Sequence, residues 1–135
     1  MIVGGCLCGA VRYEARGEPM FAGYCCCDDC QKASGSGFIP YMGFMAAAIT
    51  ISGATIRHKM THGDGRVSVR RSCAACGSLV YGGDVGKSEF HTIYAGTLDD
   101  VSLFKPTMAI MTKFKPAWVI LPSGIPQFEA MPPAP

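Results

Sequence analysis

The chain has 135 residues, a formal net charge of +2 and 49% hydrophobic residues. This length suits one domain with a single core, and a small charge without a basic stripe argues against a nucleic-acid-binding surface. Seventeen glycines and nine prolines indicate frequent turns, which favours an all-β fold of many short strands.

The predicted elements follow the hydrophobic pattern along the chain. Residues 10–15 alternate small or apolar side chains with charged ones, which predicts a half-buried strand, and residues 24–27 are expected to be extended. A short helix over residues 29–34 should begin at a cap by Asp28 and end at Gly35. A turn is predicted at residues 96–100, and further strands at residues 38–44, 49–52, 66–70, 78–81, 90–94 and 118–121.

One uncharged stretch, residues 33–56, approaches the length of a membrane span. Glycine, serine and proline interrupt it, so two buried strands joined by a turn explain it better, and no membrane segment or membrane partner is expected. Residues 1–128 are expected to form a single domain, followed by a Pro-rich flexible tail over residues 129–135.

The eight cysteines are the most informative residues of the chain. They form three short motifs: Cys6-Leu-Cys8, Cys25-Cys-Cys27-Asp-Asp-Cys30 and Cys73-Ala-Ala-Cys76. Such spacings place two sulfurs on one side of a tight turn, and distant pairs around one ion give the four-thiolate site that zinc prefers. The alternative is the disulfide framework of a secreted domain. The first residues show neither the basic nor the apolar region of a secretion signal, so we expect zinc and a cytoplasmic location.

Strand geometry divides the sulfurs into two groups. Because neighbouring side chains of a strand point to opposite faces, Cys25 and Cys27 share a face and Cys26 points away. Four cysteines from the two ends of a long loop are predicted to close it as a structural zinc site: Cys6, Cys8, Cys73 and Cys76. Cys25, Cys27 and Cys30 form a second group, and three protein ligands with an open position are typical of a reactive zinc site.

Alternatives stay open for the second group. Cys26 or a histidine could supply a fourth ligand, or the group could be an empty cluster that oxidises readily. The histidines, His58, His62 and His91, lack ligand spacing, so each is expected to be a surface or packed residue.

The motifs together resemble those of the glutathione-dependent formaldehyde-activating enzyme family, whose relatives include the centromere protein V group. The resemblance covers about residues 3–121 and is carried, in order, by Gly5-Cys-Leu-Cys-Gly-Ala-Val-Arg-Tyr13, the Cys25–Cys30 run, Cys73-Ala-Ala-Cys-Gly-Ser78, Gly96-Thr-Leu-Asp-Asp100 and a Lys113…Trp118 segment. Two positions depart from the family, which usually has histidine where this chain has Cys26 and Ala109.

This resemblance implies several coiled antiparallel β-sheets stapled by the four-cysteine zinc site. It implies a second, labile and catalytic zinc at Cys25, Cys27 and Cys30. The implied activity is that of a carbon–sulfur lyase, which condenses glutathione with formaldehyde to S-hydroxymethylglutathione or reverses that reaction.

The implied partner is a small-molecule thiol or thiol adduct, with glutathione as co-substrate. Glutathione carries two carboxylates, and the cations close to the cysteine motifs are Arg12, Lys32, Arg70 and Arg71. The alternative function is a non-catalytic binding module stabilised by zinc, because a fold does not determine a function. The sequence fixes neither the physiological substrate nor the oligomeric state.

Overall fold

The computed structural model describes residues 1–133, which form ten strands, one α-helix and four single-turn 3-10 helices. The strands are β1 (Ile2–Gly5), β2 (Arg12–Ala15), β3 (Phe21–Cys25), β4 (Ile39–Met45), β5 (Ile49–Ser52), β6 (Thr55–Thr61), β7 (Val67–Cys73), β8 (Leu79–Gly82), β9 (Phe90–Tyr94) and β10 (Met108–Ile110). The helices are α1 (Asp28–Ser34) and the 3-10 turns Ala46–Ala48, Ala95–Thr97, Val101–Leu103 and Thr112–Phe114.

The strands form two sheets. One has three strands in the order β1-β2-β5, and the other has seven in the order β10-β3-β4-β9-β8-β7-β6. All named pairs are antiparallel except β10 with β3, which run parallel. The prediction of an all-β fold of antiparallel sheets is therefore confirmed, with this one parallel pair as an addition.

Alternation along the strands separates two buried clusters on opposite faces of the larger sheet. In β4, Met42 and Phe44 join a main core that also contains Tyr13 of β2, so the three-stranded sheet packs on this face. Ile39 and Tyr41 point the other way, into a second cluster that includes the thiols of β3 and α1. The second cluster lies on the face that the smaller sheet leaves uncovered.

The helix begins one residue earlier than the sequence predicts. The cap is Cys27 rather than Asp28, because the Cys27 sulfur accepts a hydrogen bond from the backbone N–H of Cys30 at 3.3 Å. The helix ends at Gly35, as predicted, since this glycine adopts the left-handed conformation with φ of 69°.

The predicted strand at residues 118–121 is wrong, because residues 117 and 118 form a turn and residues 119–121 have no regular secondary structure. The Lys115 ammonium donates to the carbonyl of Val119 at 2.9 Å, and the N–H of Val119 donates to the carbonyl of Pro116 at 3.1 Å. Only Val119 is buried, whereas Trp118 is 71% exposed. This apolar run therefore lies mostly on the surface, and within residues 1–133 it pairs with no strand.

The segment at residues 126–130 runs beside β10. Its backbone exchanges hydrogen bonds with Ala109, Met111 and Thr112. The division between a domain over residues 1–128 and a tail over 129–135 stays a prediction, and residues 134 and 135 lie outside the described residues. In the described part of the chain, no helix is long and apolar enough to cross a membrane.

Candidate metal centres and active site

The first cysteine group lies where the two sheets meet. Cys6 and Cys8 come from the β1–β2 turn, Cys73 ends β7, and Cys76 lies in the turn that leads to β8. Their four sulfurs all lie within 4.8 Å of one another, with 3.6 Å between Cys6 and Cys8 and 3.8 Å between Cys8 and Cys73. A tetrahedron of sulfurs around zinc, with bonds of about 2.3 Å, has edges of about 3.8 Å, so this group fits the ion.

Backbone and hydroxyl donors surround these sulfurs. The N–H of Val11 donates to the Cys6 sulfur at 3.2 Å and lowers the pKa of that thiol. The Ser78 hydroxyl accepts the N–H of Leu7 at 3.1 Å, which leaves its proton free for the Cys76 sulfur, also at 3.1 Å. This hydrogen bond lowers the pKa of Cys76 to about 5. These donors therefore favour the thiolate, the form that binds metal, at Cys6 and Cys76. The neighbouring sulfurs, Cys6 first, raise the pKa of Cys8 to about 11, as expected of thiols that crowd together without a cation.

The second cysteine group lies where β3 leads into α1. Cys25 is the last residue of β3, Cys27 caps α1, and Cys30 occupies its first turn. All three are buried, and their sulfurs lie within 4.8 Å of one another. Hydrogen bonds from Cys25 and Cys30 hold the pKa of Cys27 far below its usual range, whereas the pKa of Cys25 is raised because Cys27 and Cys30 compete for the same charge. A divalent cation would allow all three to be thiolates.

Arg70 places a positive charge directly beside this group. Its side chain is 5% exposed, and Nη2 lies 3.6 Å from the sulfur of Cys30. Its Nη1 is buried and has no hydrogen-bond partner among the described residues. A guanidinium stays charged in a protein, so it needs negative charge nearby. The Cys27 thiolate alone supplies one negative charge, and three thiolates around one divalent cation carry the same net charge of −1, so Arg70 accommodates a metal in this group.

The structure brings together the cysteines that the sequence divided into two groups, and both groups could hold a metal ion. Their roles as zinc ligands, and the catalytic role of the second group, stay predictions. Cys26 is fully buried and lies outside both groups, and all eight cysteines, each within the described residues, are free. His58 is exposed, while His62 and His91 are buried, and none of them joins a group.

A cavity of about 740 Å³ opens beside the three-sulfur group; we call it the thiol cavity. Its size lies within the range of about 300–1,000 Å³ that is usual for ligand sites. Much of its wall is aromatic or aliphatic, from Phe21, Ile39, Tyr41, Phe90, Tyr94, Met108 and Ile110. Polar groups enter it from β7 and from the turn before it, namely His62, Arg66, Ser68 and Arg70.

The aromatic wall depends on a glycine in the neighbouring strand. Gly43 lies opposite Phe21 in the sheet, and a Cβ atom at Gly43 would meet the Phe21 ring at 2.1 Å. The Phe21 ring packs edge-on against Phe90, with 5.7 Å between centroids, and lies 5.8 Å from the ring of Tyr41.

Burial raises the pKa of Tyr94 to about 12, so its hydroxyl stays a neutral donor at physiological pH.

Only one of the cations suggested by the sequence reaches the thiol cavity, and it is Arg70. Arg12 pairs with Asp99 at 2.5 Å, and Arg71 pairs with Asp84 at 2.5 Å. Lys32 lines a separate, smaller cavity. The sequence reasoning missed Arg66, His62 and Ser68, since the hairpin that brings β7 beside α1 becomes apparent only in the folded chain.

The fold and the two groups define a small β-sheet protein with one cysteine group between its sheets and another in a cavity. Residues 1–114 match the model of the family described as glutathione-dependent formaldehyde-activating enzyme. The chain therefore belongs to that family, which confirms the resemblance found in its sequence.

The fold is also similar to a solved structure of a Rhodobacter sphaeroides protein. The TM-score is 0.54 at 16% sequence identity, and the match covers 93% of this chain and 98% of that chain. This likeness supports the fold alone. No curated protein matches the chain.

Proposed function

We propose that this protein is a carbon–sulfur lyase that acts on the adduct of a thiol and a small aldehyde. The S-hydroxymethyl adduct of glutathione is the proposed substrate, because the chain belongs to the formaldehyde-activating family. The observation that carries the proposal is a group of three buried thiols at a ligand-sized cavity. A purely structural cysteine group would need no such cavity.

The proposed reaction is balanced without an oxidant or reductant. In the cleavage direction, the adduct R–S–CH₂–OH gives R–SH and CH₂=O. The carbon–sulfur bond breaks with its electron pair on sulfur, the O–H electrons form the carbonyl, and the proton ends on the thiol. Addition of the thiol to formaldehyde is the same sequence reversed.

Each part of the cavity has a role in this reaction. Cys25, Cys27 and Cys30 would hold the zinc ion, which when bound keeps a thiol deprotonated at neutral pH. Arg70 balances the negative charge of these sulfurs from its buried position at Cys30. The aromatic wall of Phe21, Tyr41 and Phe90 lowers the polarity around the reacting carbon, and a less polar site strengthens each polar contact inside it.

The test is exchange NMR on a mixture of glutathione, formaldehyde and the zinc-loaded protein. The parent should interconvert free glutathione and its hydroxymethyl adduct faster than the spontaneous background, and Cys27→Ser should lose that acceleration while staying folded. Cys26→Ala is the matched control, because Cys26 is a buried cysteine outside the group.

Because the uncatalysed reaction is itself quick, the comparison between variants decides the outcome. If the parent, Cys26→Ala and Cys27→Ser all match the background, the lyase proposal is wrong for this adduct. A non-catalytic binding module would give that result with other thiols and aldehydes as well.

A further inference from the structure

Three polar side chains from different elements meet at the wall of the thiol cavity. His62 follows β6 and is 7% exposed. Its Nδ1 lies 2.7 Å from Oδ2 of Asp29 in α1, and its Nε2 lies 2.6 Å from Oγ of Ser68 in β7. His62 and Ser68 both line the thiol cavity. We call these residues the serine–histidine–aspartate chain.

The hydrogen bonds indicate which atoms donate and which accept in the serine–histidine–aspartate chain. An ionised carboxylate can only accept, so the ring proton that faces Asp29 is the one on Nδ1. In the neutral imidazole Nε2 is then the acceptor and takes the hydrogen bond of the Ser68 hydroxyl. Ser68 therefore offers a hydroxyl whose proton can pass to the imidazole as its oxygen receives another.

The location of the chain favours a role in chemistry over simple cross-linking. One hydrogen bond would be enough to connect α1 to the β6–β7 hairpin. Both ring nitrogens of His62 nevertheless form hydrogen bonds, and both bonds are about as short as hydrogen bonds become. The serine end faces the same cavity as Cys25, Cys27 and Cys30. The acidic end lies in α1, between two of those cysteines in sequence.

We propose that Ser68 and His62 form a proton relay for the thiol adduct, held in place by Asp29. This inference rests on the lyase function proposed above and adds to it the group that moves the hydroxyl proton. In cleavage, the adduct hydroxyl gives its proton to Ser68 Oγ while Ser68 gives its own to His62 Nε2. The O–H electrons form the carbonyl, and the carbon–sulfur pair leaves on sulfur. That sulfur then takes a proton from Ser68 while the imidazolium returns its own proton to Ser68 Oγ.

Ser68 is the residue that touches the substrate, and His62 and Asp29 act through it. The negative charge of Asp29 stabilises the imidazolium that forms during transfer, and its hydrogen bond keeps Nε2 facing the serine. General acid–base groups of this kind contribute roughly 10²- to 10⁴-fold to a rate. The same three residue types can also make serine a nucleophile, so the experiment must separate proton transfer from acyl transfer.

The experiment begins with exchange NMR at several glutathione concentrations. Ser68→Ala should lower kcat about 100-fold with KM changed less than about twofold, since the hydroxyl acts in the transition state. Ser68→Thr keeps the hydroxyl and should recover much of the rate. The matched control is Ser72→Ala, at the same face of β7 but outside the thiol cavity, with the parental rate and zinc content expected.

A second measurement detects the hydrogen bonds of the serine–histidine–aspartate chain without any catalysis. Proton NMR of the parent should show one strongly downfield ring N–H signal, from Nδ1 of His62 bonded to Asp29. The signal should vanish in His62→Gln, move or vanish in Asp29→Asn and persist in Ser68→Ala. Absence of the signal from the folded parent would show that the hydrogen bonds of the serine–histidine–aspartate chain do not form, and the relay would be wrong.

The outcomes separate this inference from the lyase proposal. If the parent catalyses exchange and Ser68→Ala is equally fast, the relay is wrong while the lyase function stands. If the parent has no activity, the lyase proposal fails, and the relay for that reaction fails with it. Stoichiometric labelling of Ser68 by a fluorophosphonate, with ester hydrolysis lost in Ser68→Ala, would overturn the relay in favour of a nucleophilic serine.

Discussion

The two cysteine groups use the same donor atoms in opposite settings. The four-sulfur group joins turns of both sheets, and Cys8 and Cys73 are 65 positions apart in the chain. The three-sulfur group comes from six consecutive residues, 25–30, and is buried beside a cavity. The entropic cost of closing a loop grows with its length, although slowly, and the first group also joins two sheets, so a metal there stabilises the fold more.

The difference shows how one protein can separate stability from reactivity. The four-sulfur group has a full set of ligands for a tetrahedral ion and leaves no position for a substrate. The three-sulfur group leaves one, and its cysteines lie at the end of β3 and in the first turn of α1, elements held by their own backbone hydrogen bonds. The first group should therefore tolerate no loss of a ligand, whereas the second should lose function before stability.

The largest expected effect is the loss of folding on removal of a ligand from the four-sulfur group. Structural zinc contributes about 10–16 kcal/mol in small metal domains, which is comparable to the whole net stability of about 5–15 kcal/mol. Cys8→Ser and Cys76→Ser should therefore be insoluble or show no cooperative melt. Cys27→Ser should melt within a few degrees of the parent by circular dichroism. The division of the sulfurs would be wrong if all three variants melted alike.

The next effect is a difference in metal retention. Freshly purified, reduced protein should hold at least one tightly bound zinc per chain and a second, substoichiometric zinc that a chelator removes quickly. Elemental analysis of Cys27→Ser should show that only the quickly released fraction is lost. No zinc in the parent, together with intact disulfides in its mass spectrum, would contradict the assignment of metal to both groups.

A smaller effect concerns the sheet that holds the second group. Gly43→Ala places a methyl group against the Phe21 ring, and overpacking of this kind costs about 1–3 kcal/mol. Gly96→Ala is the control, because a Cβ atom there meets nothing within 4 Å. Denaturant melts should show the loss in the first variant and a change of less than about 0.5 kcal/mol in the second. Equal stabilities would mean that the wall of the thiol cavity is not tightly packed.

The smallest effect is expected from Ser78→Ala, which removes the hydroxyl between the Leu7 N–H and the Cys76 sulfur. Groups that support metal ligands typically change metal affinity by about 10- to 100-fold. Competition with a chromogenic chelator should therefore show weaker binding of the tight zinc and an unchanged labile fraction. A change in the labile fraction instead would mean that Ser78 supports the three-sulfur group and not the four-sulfur group.

The sequence predicted the features that depend on local spacing. The alternation of Cys25, Cys26 and Cys27 indicated which sulfurs share a face, and Gly35 indicated the end of the helix. The sequence did not reveal β1, β6 and β10, because these strands lack a clear alternation or are very short. Their partners lie far along the chain, so pairing rather than local preference determines them.

The walls of the thiol cavity could not be predicted for the same reason. Asp29, His62 and Ser68 are isolated polar residues in the sequence, and His62 has no ligand spacing to distinguish it from a packed histidine. Only the β6–β7 hairpin brings them together. Conversely, Trp118 and Ile120 form an apolar run that predicts a strand, although the flanking Pro116 and Pro122 favour a turn.

The most direct test of this account is cadmium-113 NMR of the protein with its metals exchanged for cadmium. Two resonances should appear, one for four sulfur ligands and one for three, and Cys27→Ser should lose only the second. Adding glutathione should shift the second resonance and leave the first in place, because only the three-sulfur group has an open position. A single resonance in the parent, or a glutathione shift of both resonances, would contradict the division into one closed and one open site.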